Sequence, residues 1–223
     1  MSYICAPPIN ETVLLRFAEE LSGCSLGELS GMISKVIPTV LKKNKGFIGY
    51  LLEEILGAGS GNKAQQDFLD IGVELKTIPI NKKNIPLEST FVCSVPLKKN
   101  IALVWNNSYF YKKIKRILWI PIQGEKDVPV SDRLIGKPFL WTPNSMQENL
   151  IRSDWEELMD LIILGGIEDI TGKNGTVLQV LKRSSNCSYL THAIGKHGEV
   201  IFTVPRYFYL KKTFTFTILK HHS

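Results

Sequence analysis

No Cys-x-x-Cys pair and no clustered cysteine–histidine spacing occurs in the 223 residues; Cys5, Cys24, Cys93 and Cys187 stand far apart. That spacing argues against a zinc site and fits a reducing cytoplasm. No apolar run reaches the roughly 18 residues needed for a membrane-spanning helix. The opening MSYICAPP has neither the basic leader nor the long apolar core of a signal peptide. Histidines are few, and His192, His197, His221 and His222 lie away from any serine or cysteine nucleophile context, so no hydrolase triad is expected. The glycine-rich GAGSGNK at 57–63 lacks the Gly-Lys-Ser/Thr ending and the preceding strand of a phosphate-binding P-loop. It reads as a connection that lets backbone approach a substrate. Internal repeats and low-complexity tracts are absent.

What is present is basic and ordinarily apolar. The formal charge is +6, the pI about 9.1, and hydrophobic residues make up 44%. The charge favours an anionic partner but says nothing of the fold, and a lysine-rich soluble surface would give the same sum. The length allows one large domain or two smaller lobes with a real core.

The most informative stretch is Asp67-Phe68-Leu69-Asp70-Ile71-Gly72-Val73-Glu74-Leu75-Lys76. On a strand, successive side chains alternate faces. The pattern sets Val73 and Leu75, with Ile78, towards a core and Glu74 and Lys76 the other way. At a rise of ~3.3 Å per residue the carboxylate and the ammonium stand about 7 Å apart. Asp67, before a bend at Gly72, can return to the same spot, with Asp70 as a competing acid. Carboxylates hold Mg²⁺ through hard oxygen donors. The ion polarises a phosphodiester and lowers the pKa of its water, and a lysine adds charge or orients that water. An ion pair on a solvated face explains Glu-x-Lys equally well.

Apolar spacing and caps organise the chain. Asn10 caps a helix over 11–22 with Val13, Leu14, Phe17 and Leu21 on one face. Ser25-x-x-Glu28 has capping-box spacing and opens a second helix. A third runs from Asn44 to Leu56, with a stripe of Ile48, Leu51, Leu52 and Ile55; Glu53 and Glu54 flank that stripe, and periodicity does not choose between them. Strands are predicted at 73–79, 90–95, 101–105 and 117–122. Residues 123–138 are loop-rich, and a long helix follows at 145–164. Then come a strand (177–181), a short helix (189–194), a strand (200–204), a basic aromatic segment and a terminal helix. Helices first and strands later predict a mixed α/β (α+β) fold.

A run of segments resembles one family in order along nearly the whole chain: GFIGYLLE (46–53), LGA (56–58), QDF (66–68), GVELKTIP (72–79), ESTFVC (88–93), IKRILWIP (114–121), DWEELMD (154–160) and RYFYLKKTF (206–214). These resemble MutH, the endonuclease family of methyl-directed DNA mismatch repair. The resemblance implies a single restriction-endonuclease-like domain over 1–223, with two lobes around a DNA-binding cleft. The metal site would lie in the amino-terminal lobe, and the DNA-reading elements largely in the carboxy-terminal one. It implies a monomeric enzyme that nicks the unmethylated strand of hemimethylated GATC sites 5′ to the guanine. Mg²⁺ is the expected cofactor, with Mn²⁺ as a substitute, and MutL the activating partner after MutS finds a mismatch. Asp67 and Glu74 become the metal-binding acids, Lys76 the catalytic lysine, and Glu53 and Lys113 assisting residues.

Lys45 and Gly46 match a family pair near DNA. In Arg206-Tyr207-Phe208-Tyr209-Leu210-Lys211-Lys212, Arg206, Lys211 and Lys212 would meet phosphates, and the resemblance puts Tyr209 where adenine methylation is sensed. A half-buried strand with snorkelling lysines is the other reading of that segment. Leu181 stands where family members carry an arginine in the specificity loop, with Lys182 and Arg183 displaced by one or two positions. Arg183 is the natural substitute for guanine recognition. The basic run Lys112-Lys113-Ile114-Lys115-Arg116 suggests a phosphate clamp. A GATC-specific restriction endonuclease and a catalytically silent DNA-binding module are the rival readings.

Overall fold

The computed structural model describes residues 6–39, 41, 44, 46–59, 65–98, 100–182 and 189–222. Lys45, Arg183, Cys5, Cys187 and the segment 60–63 of the glycine-rich loop lie outside the described residues. The chain divides into two compact units. The first comprises Met1–Glu88, Lys113–Thr142 and Leu219–Ser223, and the second Ser89–Lys112 and Pro143–Ile218.

In the first unit, α1 (Glu11–Glu20) starts where Asn10 accepts a hydrogen bond from the Val13 amide at 2.9 Å. Helix α2 (Leu26–Met32) starts at the Ser25/Glu28 capping box. Helix α3 is Phe47–Ile55, which holds the whole apolar stripe but is shorter than the predicted 44–56, because Gly46 precedes it in the left-handed region at φ 97°. Strand β1 (Glu74–Ile80) pairs in parallel with β3 (Ile117–Gln123), which pairs antiparallel with the short β4 (Phe139–Trp141). Leu14, Leu26, Leu51, Leu52, Val73, Leu75 and Leu118 share one core with their neighbours. Ile78 is fully buried but lies outside that core. Its even position places it on the Glu74 and Lys76 side of β1, so the expected grouping with Val73 and Leu75 fails on simple alternation.

The second unit is built on an antiparallel sheet in the order β2 (Thr90–Ser94), β8 (Arg206–Leu210), β5 (Leu178–Lys182). A separate hairpin joins β6 (Thr191–Ile194) to β7 (Val200–Thr203). Two expectations fail here. Residues 101–105 form turns leading into a 3-10 turn at Trp105–Asn107, and 189–194 contain a strand in place of a helix. The apolar run 101–105 has only Trp105 to bury; its ring meets Phe110 and Trp155 at centroid distances of 5.7 and 5.6 Å. Phe110 lies on α4 (Tyr109–Ile114), and Trp155 on α5 (Ser145–Ile163). Buried Asp154 of α5 accepts the amides of Thr176, Val177 and Leu178 at 2.6–2.8 Å, which fixes the start of β5. Helix α6 (Lys212–Lys220) follows β8. Among the described residues no helix is long and apolar enough to cross a membrane.

Candidate active site

A tight reversal before β1 gathers the acids. Gly72 sits at φ 67°, in the left-handed region that glycine enters without a Cβ penalty. Phe68 and Val73 exchange backbone hydrogen bonds across the bend at 2.9 and 3.2 Å. This returns Asp67 to the strand, where its Oδ2 accepts the Leu75 amide at 2.8 Å. Asp70 stays exposed on the turn. The parallel pairing begins with the Glu74 amide donating to the Arg116 carbonyl at 3.0 Å.

Glu74 is 2% exposed and shared by two ammonium groups. Lys76 Nζ donates to its Oε1 at 2.5 Å, and Lys113 Nζ, from the end of α4, donates to its Oε2 at 2.7 Å. Lys113 Nζ also lies 3.8 Å from Asp67 Oδ1. Burial holds the Glu74 carboxyl above its ordinary pKa, against the opposing pull of Lys76 and Lys113. Glu53 on α3 is pushed up to about 7, first by burial and then by Asp67, with Glu74 adding and the two lysines opposing. The two glutamates that periodicity left level are separated: Glu54 turns to an ion pair with Lys35, and Glu53 joins the acids.

The donors are all carboxylate oxygens. Among the described residues no group of three or more His, Cys, Asp or Glu stands ready as a metal cage. Two carboxylates completed by water suit Mg²⁺, which keeps several waters and takes few protein ligands. The residues therefore fit a hard divalent ion held by Asp67 and Glu74.

A family model described as the DNA mismatch repair enzyme MutH matches residues 56–154, which include Asp67, Glu74, Lys76 and Lys113. The DNA mismatch repair protein MutH of Yersinia enterocolitica is 52% identical over 217 residues, 97% of this chain and 95% of that protein. Those of Serratia proteamaculans and Citrobacter koseri are 50% and 49% identical, over 100% and 98% of this chain and 97% and 95% of theirs. The chain belongs to the MutH family. This is a family of mismatch-repair endonucleases with the restriction-endonuclease-like fold, and the mixed α/β architecture described above agrees with it.

The MutH resemblance also named DNA contacts, and the structure distributes them unevenly. Gly46 opens α3; Lys182, at the end of β5, and Lys212, at the start of α6, are exposed; Tyr209 is half-buried on β8. Arg206 departs from its expected place on the surface. It is 3% exposed, donating to Glu168 Oε2 at 2.9 Å and the Val204 carbonyl at 2.7 Å. Lys211 Nζ donates to the Gly175 carbonyl at 2.6 Å. Of the basic run, Lys113 is buried at the acids, and Arg116 forks onto Glu11 and reaches Thr142; Lys112 and Lys115 are exposed. Glu11 and Glu168, which hold Arg116 and Arg206, carry no sequence signal, because those partners lie 105 and 38 residues away; Asp154 opens the DWEELMD segment, but the amides it accepts begin 22 residues on.

Proposed function

We propose that the chain nicks the unmethylated strand of hemimethylated GATC sites in double-stranded DNA, 5′ to the guanine. It would act as a monomer with one site, with Mg²⁺ or Mn²⁺ as cofactor, stimulated by MutL after MutS has found a mismatch. The observation that carries this reading is the convergence of Asp67, Glu74, Lys76 and Lys113 in a chain of the MutH family.

Asp67 and Glu74 would hold a divalent ion, which would supply charge neutralisation at the scissile phosphate and a water of lowered pKa. Lys76 orients the attacking water and offsets charge developing on the phosphate. Lys113 opposes the upward pull of burial on the Glu74 carboxyl by supplying a counter-charge at 2.7 Å. Glu53, titrating near pH 7, exchanges a proton close to the operating pH. Phosphate contacts come from Lys45, Gly46, Lys182 and Lys212, guanine contact from Arg183, and methyl sensing from Tyr209. The amides at the start of α3 add donors for a phosphate. A single site per monomer leaves one strand intact.

The test is cleavage of a plasmid with one GATC site, unmethylated, hemimethylated or fully methylated, with Mg²⁺ and with or without MutL and ATP. Nicking confined to the unmethylated strand, stimulated by MutL and lost in Glu74→Ala, supports the reading. Cutting of both strands regardless of MutL replaces it with a restriction endonuclease. DNA binding without cutting replaces it with a silent binding module.

A further inference from the structure

The sheet of the second unit turns an apolar face outward. Along β8, Arg206, Phe208 and Leu210 are buried, and Tyr207 and Tyr209 alternate to the opposite face. Register sets Ser94 and Phe91 of β2 beside Tyr207 and Tyr209, and Leu181 and Gln179 of β5 on their other side. The Phe91 ring lies 5.8 Å from that of Tyr207 and 5.7 Å from that of Tyr209. An antiparallel sheet covered on one side ordinarily carries polar residues on the other. Here Phe91, Leu181, Tyr207 and Tyr209 are aromatic or aliphatic, and only Ser94 and Gln179 are polar. Gln179 is itself turned aside, donating to Ser89 Oγ at 2.7 Å.

The exposed Lys212 follows β8. Lys182, at the end of β5, alternates to the Arg206 side, and its Nζ lies 4.0 Å from Glu168 Oε2. Tyr207 also lines a cavity of about 390 Å³ together with Lys98, Tyr189 and Thr191. An apolar centre with Lys98 and Lys212 beside it suits double-stranded DNA, with phosphates at the lysines and base edges at the centre.

We propose that Leu181 and Tyr207, neighbours across β5 and β8, form a specificity-determining pair that contacts the C5 methyl of thymine in the recognition site. This rests on the reading above that this face meets DNA. Leu181 has no donor or acceptor to offer a base edge, and the thymine methyl is the apolar feature of the major groove. The Tyr207 ring, packed against Phe91, supplies a wall that is ordered before DNA arrives.

The experiment measures binding of the full chain, with Ca²⁺ in place of Mg²⁺, to duplexes with one unmethylated GATC site. Both thymines of the site are kept or replaced by deoxyuridine, which lacks the methyl. Burial of one methyl corresponds to about fourfold in affinity. The expected result is that preference for thymine in the natural chain and in Tyr207→Phe, and its loss in Leu181→Ala and Tyr207→Gly. Equal binding of the two duplexes by the natural chain overturns the proposal, as does a full preference retained by Leu181→Ala. Nicking with Mg²⁺ on the same duplexes separates the two failures. Nicking indifferent to the methyl sinks only this pair, whereas absence of any GATC nicking sinks the proposed function and the pair with it.

Discussion

Lys113 Nζ lies 2.7 Å from Glu74 Oε2, and both side chains are almost wholly withdrawn from water. An ionised carboxylate there depends on its ammonium partners, because desolvation disfavours the charged form. The Glu74 carboxyl titrates above its ordinary value, so the folded state holds its proton more tightly than the unfolded chain does. Stability then falls as pH rises through that raised pKa. Lys113→Met removes an opposing charge and deepens the fall. Urea unfolding at pH 8 should show a loss on the order of 1–3 kcal/mol, with a smaller loss at pH 5. Equal losses at both pH values would mean that the lysine acts through packing alone.

Asp67 divides its two oxygens. Oδ2 accepts the Leu75 amide, and Oδ1 faces Lys113. Asp67→Asn retains an acceptor for the amide and removes the charge. Nicking should fall by about a hundredfold or more, the scale of losing one charge-stabilising group, while DNA binding and the unfolding midpoint stay close to those of the natural chain. Asp67→Ala should lose cleavage too and keep much of its DNA binding. Normal cutting by either variant would remove Asp67 from the site.

Much of this arrangement was legible because it is local. The bend at Gly72 and the alternation of Val73 to Lys76 announced a returning acid within eight residues of Leu75. Asn10 and the Ser25/Glu28 box announced helix starts, since a cap acts within one turn. What failed depended on distant partners. The run 101–105 has strand-like residues but no strand beside it. Residues 191–194 became a strand by pairing with 200–203 across the turn at Gly195 to Gly198. The fate of Arg206 was set by Glu168, 38 positions away.

Glu53 offers a pH test. Its folded pKa of about 7 lies above the ordinary 4.5, so the unfolded chain releases this proton first. Between those two values stability declines with rising pH, and the full penalty applies above pH 7. Glu53→Gln mimics the protonated form. Its melting temperature should exceed that of the natural chain by a few degrees at pH 8 and match it at pH 4.5. A variant no more stable at pH 8 would show that Glu53 does not carry this penalty.

Tyr209 lies on the outward face of β8, opposite Phe91. If it senses adenine methylation, Tyr209→Ala should weaken discrimination more than catalysis. Nicking of unmethylated sites should fall only a few-fold, and the ratio of unmethylated to fully methylated cutting should drop towards one. Equal loss on both substrates would make the ring a structural part of the sheet.

Arg206 and Lys212, six residues apart, should behave in opposite ways. Arg206 is buried and bonded to Glu168 and the Val204 carbonyl, whereas Lys212 is exposed at the start of α6. Truncating Arg206 takes the guanidinium from the half-buried Val204 carbonyl and from Glu168, and frees the start of β8. Arg206→Met should lower stability by about 1–3 kcal/mol and leave the salt dependence of DNA binding unchanged. Lys212→Ala should leave stability within about 0.5 kcal/mol and reduce the slope of log affinity against log salt by about one, the signature of a lost phosphate contact. Binding titrations of both variants across a salt series, paired with urea unfolding, decide the matter. A reduced slope for Arg206→Met would mean that the guanidinium leaves Glu168 for a phosphate when DNA binds, and β8 would then have to rearrange with it.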